Sequence, residues 1–531
     1  MPEILLSTLN AKYIHASFGL RCLRANLGEL RERSAILEFN IGQRPLEIAE
    51  RILAERPRIV GLGVYIWNVQ PTLELVVVLK RIQPGLVVVL GGPEVSHETE
   101  AQEITRWADH VVCGEGEDVF RLLCGRVLAG EAGIPRVIAA PLPALPLLRS
   151  PYGEYDAEDI ANRLVYVEAS RGCPFSCEFC LSSADIPVRA FPLEPFLGEM
   201  GRLLERGLLH FKFVDRTFNL HLPTSRRILE FFLERLRPGL FLHFEMVPDR
   251  LPPELRGLLA RFPPGTLQLE VGIQTFDTEV AALISRRQDY ARMEDNMRFL
   301  REHTSAHVHA DLIAGLPGED EEGFGRGFDR LLAMGPQEIQ VGILKRLRGT
   351  PIGRHDAEWG MVYSPLPPYE ILRTRKVPFE AMQRLRRFAR MWDLVGNSGN
   401  FTRSVRLLWE GAASPFAEFT AFSEWYHARE GRHHAIALVR TMERVFEYLT
   451  QVRGVDGVRA ATALWEDYQQ GGRVELPPFL RPYLPDAKPA RHSMPGRRGG
   501  GGGDGEGGSG AGGKVPATTK RQGRHGAGGG V

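Results

Sequence analysis

The sequence has no long hydrophobic run, few cysteines and almost no net charge, and each absence excludes a class of protein. No apolar run reaches the roughly 18 residues of a membrane-spanning helix, and the first residues, Met1-Pro-Glu, are not those of a signal peptide. Six cysteines in 531 residues are too few for a disulfide scaffold. A net charge of +1 provides no bulk attraction to nucleic acid or to membranes. We therefore expect a cytoplasmic protein whose partner is neither a membrane nor a nucleic acid.

Three of the six cysteines stand together in the stretch Cys173-Pro-Phe-Ser-Cys177-Glu-Phe-Cys180, directly after a strand-like apolar run. The C-x3-C-x2-C spacing puts three thiolates on one loop, where they can bind three irons of a [4Fe–4S] cluster and leave the fourth iron open. A zinc knuckle and an inert electron-transfer cluster are the alternatives. Both normally need a fourth nearby ligand, and the next 20 residues do not supply one. The spacing therefore predicts a cluster with an open iron.

Residues 1–135 alternate five short apolar runs with amphipathic helical stretches. This alternation predicts a doubly wound parallel sheet, because parallel strands need crossover helices. Two glycine-bearing turns, residues 91–94 and 114–117, follow the late strands, and ligands of such sheets bind at the carboxyl ends of strands. Residues 136–160 are rich in proline and are predicted to be an irregular linker.

Residues 161–355 resume the alternation with six further strand candidates. The predicted strands are residues 163–169, 210–216, 240–246, 266–273, 307–314 and 338–345. Six βα units predict a partial (β/α)6 barrel with the cysteine loop after its first strand. Active sites of β/α barrels lie at the carboxyl ends of the strands, so the cysteines are in a catalytic position.

The remaining sequence has a different character. Residues 365–485 show helical periodicity, and an apolar face runs from Phe379 through Phe388 to Val395. The arginines of this helix lie mostly off that face, as on a solvated surface. Residues 490–531 are glycine-rich with almost no apolar residues, and we predict that this tail is disordered.

The cysteine loop and the six βα units resemble the radical S-adenosylmethionine (SAM) superfamily, and residues 1–135 resemble the cobalamin (B12)-binding domain that often precedes its barrel. The resemblance covers about residues 1–352. It implies that Cys173, Cys177 and Cys180 are the metal ligands of a [4Fe–4S] cluster whose open iron binds SAM. One electron, from a donor such as a flavodoxin or a ferredoxin, would cleave SAM to methionine and a 5′-deoxyadenosyl radical.

Three later segments are similar to barrel strands of oxygen-independent coproporphyrinogen oxidases, and this similarity implies which residues bind SAM. Carried over, Glu245 would bind the amino group of SAM, Arg286 the carboxylate, and Gln274 with Asp311 the ribose. The chemistry is consistent, because an anion, a cation and hydrogen-bonding groups meet an ammonium, a carboxylate and a diol. Asp215 would replace the glycine-rich turn that often holds the amino group in the superfamily.

The leading hypothesis is a radical SAM enzyme that uses cobalamin to transfer a methyl group to an unreactive carbon of a small-molecule substrate. The Asp-x-His-x-x-Gly loop of one cobalamin-binding mode is absent, and His15 lies beyond the expected place of its histidine. A vestigial cobalamin domain beside a barrel that catalyses a rearrangement or an oxidation is therefore one alternative. A non-catalytic iron–sulfur protein is the other.

Overall fold

The computed structural model describes residues 1–184, 187–432 and 436–485, so the predicted tail lies outside the described residues. The chain forms two compact units. The first contains residues 1–320 and 342–382, and the second contains residues 321–341 and the described residues from 383 to 485. No helix in the described ranges is both long and apolar enough to cross a bilayer.

The first 139 residues form a parallel sheet of six strands in the order β2-β1-β3-β4-β5-β6. Its strands are β1 (Ile4–Asn10), β2 (Ser34–Asn40), β3 (Ile59–Gly63), β4 (Val87–Gly91), β5 (His110–Cys113) and β6 (Val137–Ala139). Its helices are α1 (Phe18–Ala25), α2 (Pro45–Ala54), α3 (Val69–Ile82), α4 (Glu103–Trp107) and α5 (Glu117–Leu128). The predicted doubly wound sheet is confirmed.

The strand count was predicted as five, and this is wrong because β6 lies within the segment predicted as linker. β6 pairs in parallel with β5 at three positions. A strand of three residues is too short to show a period in the sequence. The apolar side chains of the sheet fill both faces, with Leu5, Val60 and Val88 in one core cluster and Ile4 and Val89 in the other. Helices therefore cover both faces.

The rest of the predicted linker has only two 3-10 turns, Leu145–Leu147 and Tyr152–Glu154, before a short helix begins near its end. Helix α6 (Ala157–Asn162) begins with a capping box between Asp156 and Asp159. Buried Arg21 of α1 contacts Glu38 at 2.9 Å and Asp159 at 2.5 Å. These ion pairs join α6 to the first sheet, so the segment departs from the predicted irregular linker at its two ends, β6 and α6.

The second sheet has six parallel strands in the order β14-β13-β12-β11-β10-β7, as expected for a partial barrel. The strands of this region are β7 (Val165–Val167), β8 (Ser170–Arg171), β9 (Arg189–Ala190), β10 (His210–Phe213), β11 (Phe241–Met246), β12 (Leu267–Gln274), β13 (His307–Ala314) and β14 (Glu338–Ile343). The helices are α7 (Leu193–Glu205), α8 (Leu222–Leu233), α9 (Pro253–Leu259), α10 (Thr278–Leu283), α11 (Tyr290–His303) and α12 (Glu321–Met334). The first predicted strand, 163–169, is shorter than expected. After β7 the chain forms β8, which pairs antiparallel with β9.

The C-terminal part is mainly helical, as predicted. A short helix α13 (Asp356–Trp359) and the antiparallel strands β15 (Val362–Tyr363) and β16 (Ile371–Arg373) precede four longer helices. These helices are α14 (Phe379–Met391), α15 (Pro415–Glu430), α16 (Leu438–Gln451) and α17 (Gly457–Gln470). The core of the second unit is aromatic. Most of its ring contacts are edge-to-face, and they join Phe388, Trp392 and Phe419 with Phe328 of α12 and Phe416 of α15.

Helix α14 departs from its prediction in two respects. Phe379 was placed on the buried face but is 47% exposed, because the helix begins at this residue. The arginines are ion-paired within the second unit rather than merely solvated. Arg384 lies 2.6 Å from Glu321, and Arg387 donates to Glu424 at 2.7 Å.

Candidate active site

The three cysteines line one cavity of about 250 Å³, here named the cysteine cavity, at the carboxyl ends of β11, β12 and β13. Four of the five predicted SAM contacts line the same cavity: Glu245, Gln274, Arg286 and Asp311. Together with the cysteines, these residues are spread over the sequence from Cys173 to Asp311. The structure thus brings together seven of the eight residues that the sequence singled out.

The cysteine loop (residues 173–180) lies in the connection between β8 and β9, so the two strands form a hairpin below it. Cys177 is buried, and Cys173 and Cys180 are partly buried. Burial raises the pKa of the Cys173 thiol. Among the described residues, no three His, Cys, Asp or Glu side chains are grouped closely enough to hold a single metal ion. A four-iron cluster needs no such group, because each cysteine binds a different iron.

Glu178, between the second and third cysteines, fixes the loop to two other segments. Its carboxylate accepts a hydrogen bond of 2.7 Å from Ser285 Oγ, lies 2.9 Å from His355 Nε2 and accepts another bond from Arg354. Its backbone N–H donates to the Ile284 carbonyl at 3.1 Å. Glu178 is 3% exposed, so these contacts replace water around its charge.

Gln274 has the backbone strain that often accompanies a functional position. Its φ of +74° is in the left-handed region, which non-glycine residues seldom adopt. The pairing of β12 with β13 shifts register between Gly272 and Gln274. A Cβ on Gly272 would lie 2.6 Å from the Gln274 amide nitrogen, so a side chain there would displace the Gln274 amide. The buried Gln274 Oε1 has no hydrogen-bond partner in the described structure.

Asp311 Oδ1 is a second buried oxygen without a hydrogen-bond partner, and His309 Nε2 lies 3.7 Å from it. Burial and the nearby carboxylates of Glu270 and Glu245 raise the pKa of Asp311 well above its usual value. Glu245 itself lies 3.0 Å from Arg216, and Glu270 lies 2.9 Å from His243 Nε2. The cavity therefore presents carboxyl groups and an amide with open hydrogen-bonding positions.

The two arginines at the end of α10 lie differently. Arg286 Nη1 is 3.4 Å from Cys177 Sγ, and its other nitrogen donates to the Gly272 carbonyl. Arg287 also lines the cavity but forms no hydrogen bond or ion pair with the described residues. The Arg287 guanidinium is thus available near the cysteines for a carboxylate, whereas Arg286 already contacts Cys177 and β12.

Asp215, the fifth predicted SAM contact, is not in the lining of the cysteine cavity. Its carboxylate accepts hydrogen bonds from the Ala169 backbone N–H at 3.0 Å and from Ser170 Oγ at 2.6 Å. Burial raises the pKa of Asp215 to about 6. The structure therefore places it under the start of the β8–β9 hairpin rather than with the other four.

A second cavity, of about 380 Å³ and here named the sheet-edge cavity, lies where the first sheet meets the barrel. Its lining includes both glycine-bearing turns that the sequence indicated. A Cβ on Gly92 would lie 2.5 Å from the Val64 carbonyl oxygen, and one on Gly61 would lie 2.9 Å from the Phe120 ring. Ser182 and Arg216 line both cavities, so the two adjoin.

Sequence reasoning missed the charged residues of the sheet-edge cavity. Glu168 and Arg171, which stand just before the cysteine loop, line it and lie 2.8 Å apart. Their position in the sequence just before Cys173 could have indicated that they belong to the site. Among the described residues that line this cavity there is no histidine. His15 lies elsewhere, with its Nδ1 2.7 Å from the Tyr166 hydroxyl.

Family models match three regions of the chain. Residues 5–123 match the B12 binding domain, residues 167–331 match the radical SAM superfamily, and residues 357–482 match a protein of unknown function, DUF4080. This is a radical SAM protein with an N-terminal B12-binding domain. The radical SAM region contains all three cysteines and all five predicted SAM contacts.

Relatives of this radical SAM protein include two methyltransferases. The uncharacterized methyltransferase PH0819 of Pyrococcus horikoshii is 31% identical over 223 residues, which are 36% of this chain and 46% of the relative. The cobalamin-dependent radical SAM methyltransferase TokK of Streptomyces tokunonensis is 25% identical over 347 residues, 56% of this chain and 48% of the relative. The chain thus spans about half the length of these relatives.

A solved structure shares the fold of the radical SAM protein over most of its length. The cobalamin-dependent S-adenosylmethionine radical enzyme OxsB, with aqua-cobalamin and S-adenosylmethionine bound, matches with a TM-score of 0.60. It is 13% identical, and the match covers 92% of this chain and 84% of OxsB. The likeness confirms the mixed α/β architecture with two parallel sheets and a helical C-terminal region.

Proposed function

We propose that the protein is a cobalamin-dependent radical SAM enzyme that transfers a methyl group to an unreactive carbon of a small-molecule substrate. The observation that supports this most directly is that the cysteine cavity and the sheet-edge cavity adjoin and share Ser182 and Arg216. Two cofactors in adjoining cavities could act on one substrate. Each cavity also has the residue types that its cofactor needs.

The cysteine cavity fits a [4Fe–4S] cluster with SAM. Three thiols can bind three irons, and the polar groups around them have unsatisfied hydrogen-bonding positions. Gln274 and Asp311 would bind the ribose, and Arg286 or the unpaired Arg287 would bind the carboxylate. Glu245 would bind the amino group, in exchange for part of its contact with Arg216.

The sheet-edge cavity fits part of a cobalamin. Glycines at the ends of β3, β4 and β5 leave room close to the backbone, as ligands of doubly wound sheets require. Cobalamin is larger than this cavity, so the rest of the molecule would extend toward Arg216 and the cysteine cavity. With no histidine among the described lining residues, cobalt would have no imidazole ligand from this wall.

When bound, the cluster would supply the electron for reductive cleavage of SAM, and cobalamin would supply the methyl group. The residues of the chain bind, orient and shield. Glu178 holds the cysteine loop, and Gly272 leaves space for the Gln274 amide. A one-electron donor such as a flavodoxin or a ferredoxin would supply the electron.

Retention of cobalamin tests the methyl-transfer function. We expect anaerobically reconstituted full-length protein to keep about one hydroxocobalamin per chain through gel filtration. Gly92→Val is the matched variant, because a side chain there would meet the Val64 backbone, and it should retain much less. Cluster-loaded protein that keeps no cobalamin would contradict methyl transfer and favour the rearrangement or oxidation alternative.

A further inference from the structure

The β8–β9 hairpin that presents the cysteine loop is anchored to the first domain by carboxylates of one turn. Glu115, in the turn of residues 114–117, accepts a hydrogen bond of 2.6 Å from Arg171 Nη1. Its other oxygen accepts a hydrogen bond from Arg189 Nη2. Arg171 and Arg189 are direct partners in the two-stranded pairing of β8 with β9. A single side chain thus holds both strands of the hairpin.

A second carboxylate of the same turn strengthens this contact. Arg171 Nη2 lies 2.7 Å from Glu117 Oε1 and 2.8 Å from Glu168 Oε1. The Arg171 side chain is 13% exposed, and the Glu117 side chain is 5% exposed. Low exposure makes these charge-assisted bonds stronger and less screened than surface ion pairs. Arg189 is held further by a bond of 3.3 Å from Nη1 to the Pro143 carbonyl.

The turn that makes these contacts also lines the sheet-edge cavity. Glu115, Glu117, Arg171 and Gly172 are all part of that lining, and Gly172 directly precedes the first cysteine. A molecule in the cavity therefore contacts the turn and the base of the hairpin together.

We propose that Glu115 is a positioning residue that couples occupation of the sheet-edge cavity to the geometry of the cysteine loop. Cobalamin in the cavity holds the turn of residues 114–117 in place. Through Glu115 the turn then holds Arg171 and Arg189, and with them the hairpin that leads into and out of the cysteine loop. A cluster held on a more rigid loop loses iron more slowly. This inference rests on the proposed function, because it takes cobalamin and the cluster as the two ligands.

Iron release from cluster-loaded full-length protein tests the coupling. The rate at which a chelator removes iron is measured with and without saturating hydroxocobalamin. In the unaltered protein we expect cobalamin to slow the release by about tenfold, a typical coupling between two sites. In Glu115→Gln, which keeps the shape but weakens both arginine contacts, we expect the two rates to agree within about twofold. The control is Glu131→Gln, whose Arg126 partner lies on the surface of the same domain, and it should behave as the unaltered protein.

The ratio of the two rates separates coupling from a merely structural role. A structural role would accelerate iron loss from Glu115→Gln equally with and without cobalamin, so an unchanged tenfold ratio would overturn the inference. Unaltered protein that binds cobalamin without any slowing would overturn it too, while the proposed function would stand. Protein that binds no cobalamin would refute both. If Glu115→Gln does not fold, Arg189→Lys is used instead. It removes the guanidinium contact with Glu115, and the same results support or overturn the inference.

Discussion

Gln274 joins three unusual features at one residue: a left-handed backbone, a shift in strand register and a buried oxygen without a partner. Strain of this kind persists only where surrounding structure enforces it, and it is common at ligand sites. Asp311 on the neighbouring strand has the same unsatisfied character. At the residue scale, SAM binding is supported by buried polar atoms that lack hydrogen-bond partners.

Replacing Gln274 tests that case. We expect Gln274→Leu to weaken SAM binding to the cluster-loaded protein by about tenfold, since a lost ligand hydrogen bond costs about 1–1.5 kcal/mol. Calorimetric titration under anaerobic conditions measures the dissociation constant. Gln83→Leu, at an exposed site at the end of α3, is the control and should leave it unchanged. Equal affinities for all three proteins would count against Gln274 as a SAM contact.

A second residue-scale prediction concerns Glu319, a buried acid outside the cysteine cavity. Thr275 Oγ1 donates to its Oε1 at 2.7 Å, the other oxygen has no partner, and burial raises its pKa from 4.5 to about 8. The folded protein therefore keeps this proton where the unfolded chain has lost it. The contribution of Glu319 to the free energy of unfolding should therefore be greatest below pH 4.5 and should fall as the pH rises toward 8.

Denaturant unfolding at several pH values measures this effect. Glu319→Gln should reduce the change in unfolding free energy between pH 4.5 and about pH 8, by on the order of 3–5 kcal/mol. Glu358→Gln, at an exposed site on α13, should keep the dependence of the unaltered protein. The same slope in Glu319→Gln would show that this carboxyl is not the titrating group.

At the scale of elements, the cysteine loop depends on segments that are distant in sequence. Glu178 connects it to Ser285 at the end of α10 and to His355 before α13. The bond to Ser285 also fixes the residue before Arg286, which lies against Cys177. These contacts therefore hold the cysteine loop and Arg286, the proposed SAM arginine, together.

Glu178→Ala should break this connection. Leaving the buried partners of a carboxylate unsatisfied costs about 1–3 kcal/mol, so we expect lower resistance to denaturant and faster loss of iron. Glu178→Gln keeps the hydrogen bond from Ser285, so its stability and iron retention should lie between those of the unaltered protein and Glu178→Ala. Glu358→Ala, in the neighbouring helix, is the control. Iron content after a fixed anaerobic incubation is the measurement, and full retention by Glu178→Ala would contradict the assigned role.

The sequence predicts some elements much better than others, for physical reasons. The cysteine spacing is local, and long strands such as β12 and β13 show a clear period of two, so both are visible without a structure. Strands β6, β8 and β9 have two or three residues and no measurable period. The pairing of Glu115 with Arg171 spans 56 positions and has no local signal. The predicted SAM contacts came from resemblance, and the cysteine cavity gives four of the five a common location.

At the scale of the whole molecule, the first unit combines two parallel sheets whose ligand-binding edges meet at adjoining cavities. The B12-binding and radical SAM regions fall on these two sheets. The aromatic, helical second unit is a separate compact body. Our central claim is that the cysteine cavity of the first unit initiates radical chemistry on SAM.

The release of 5′-deoxyadenosine tests that claim most directly. Anaerobically reconstituted protein is incubated with SAM and dithionite, and the nucleoside is quantified by liquid chromatography. Cys177→Ala, which removes one cluster ligand, is the matched control. We predict 5′-deoxyadenosine from the unaltered protein and none above background from the variant. Unaltered protein with an intact cluster that releases no 5′-deoxyadenosine would contradict the account.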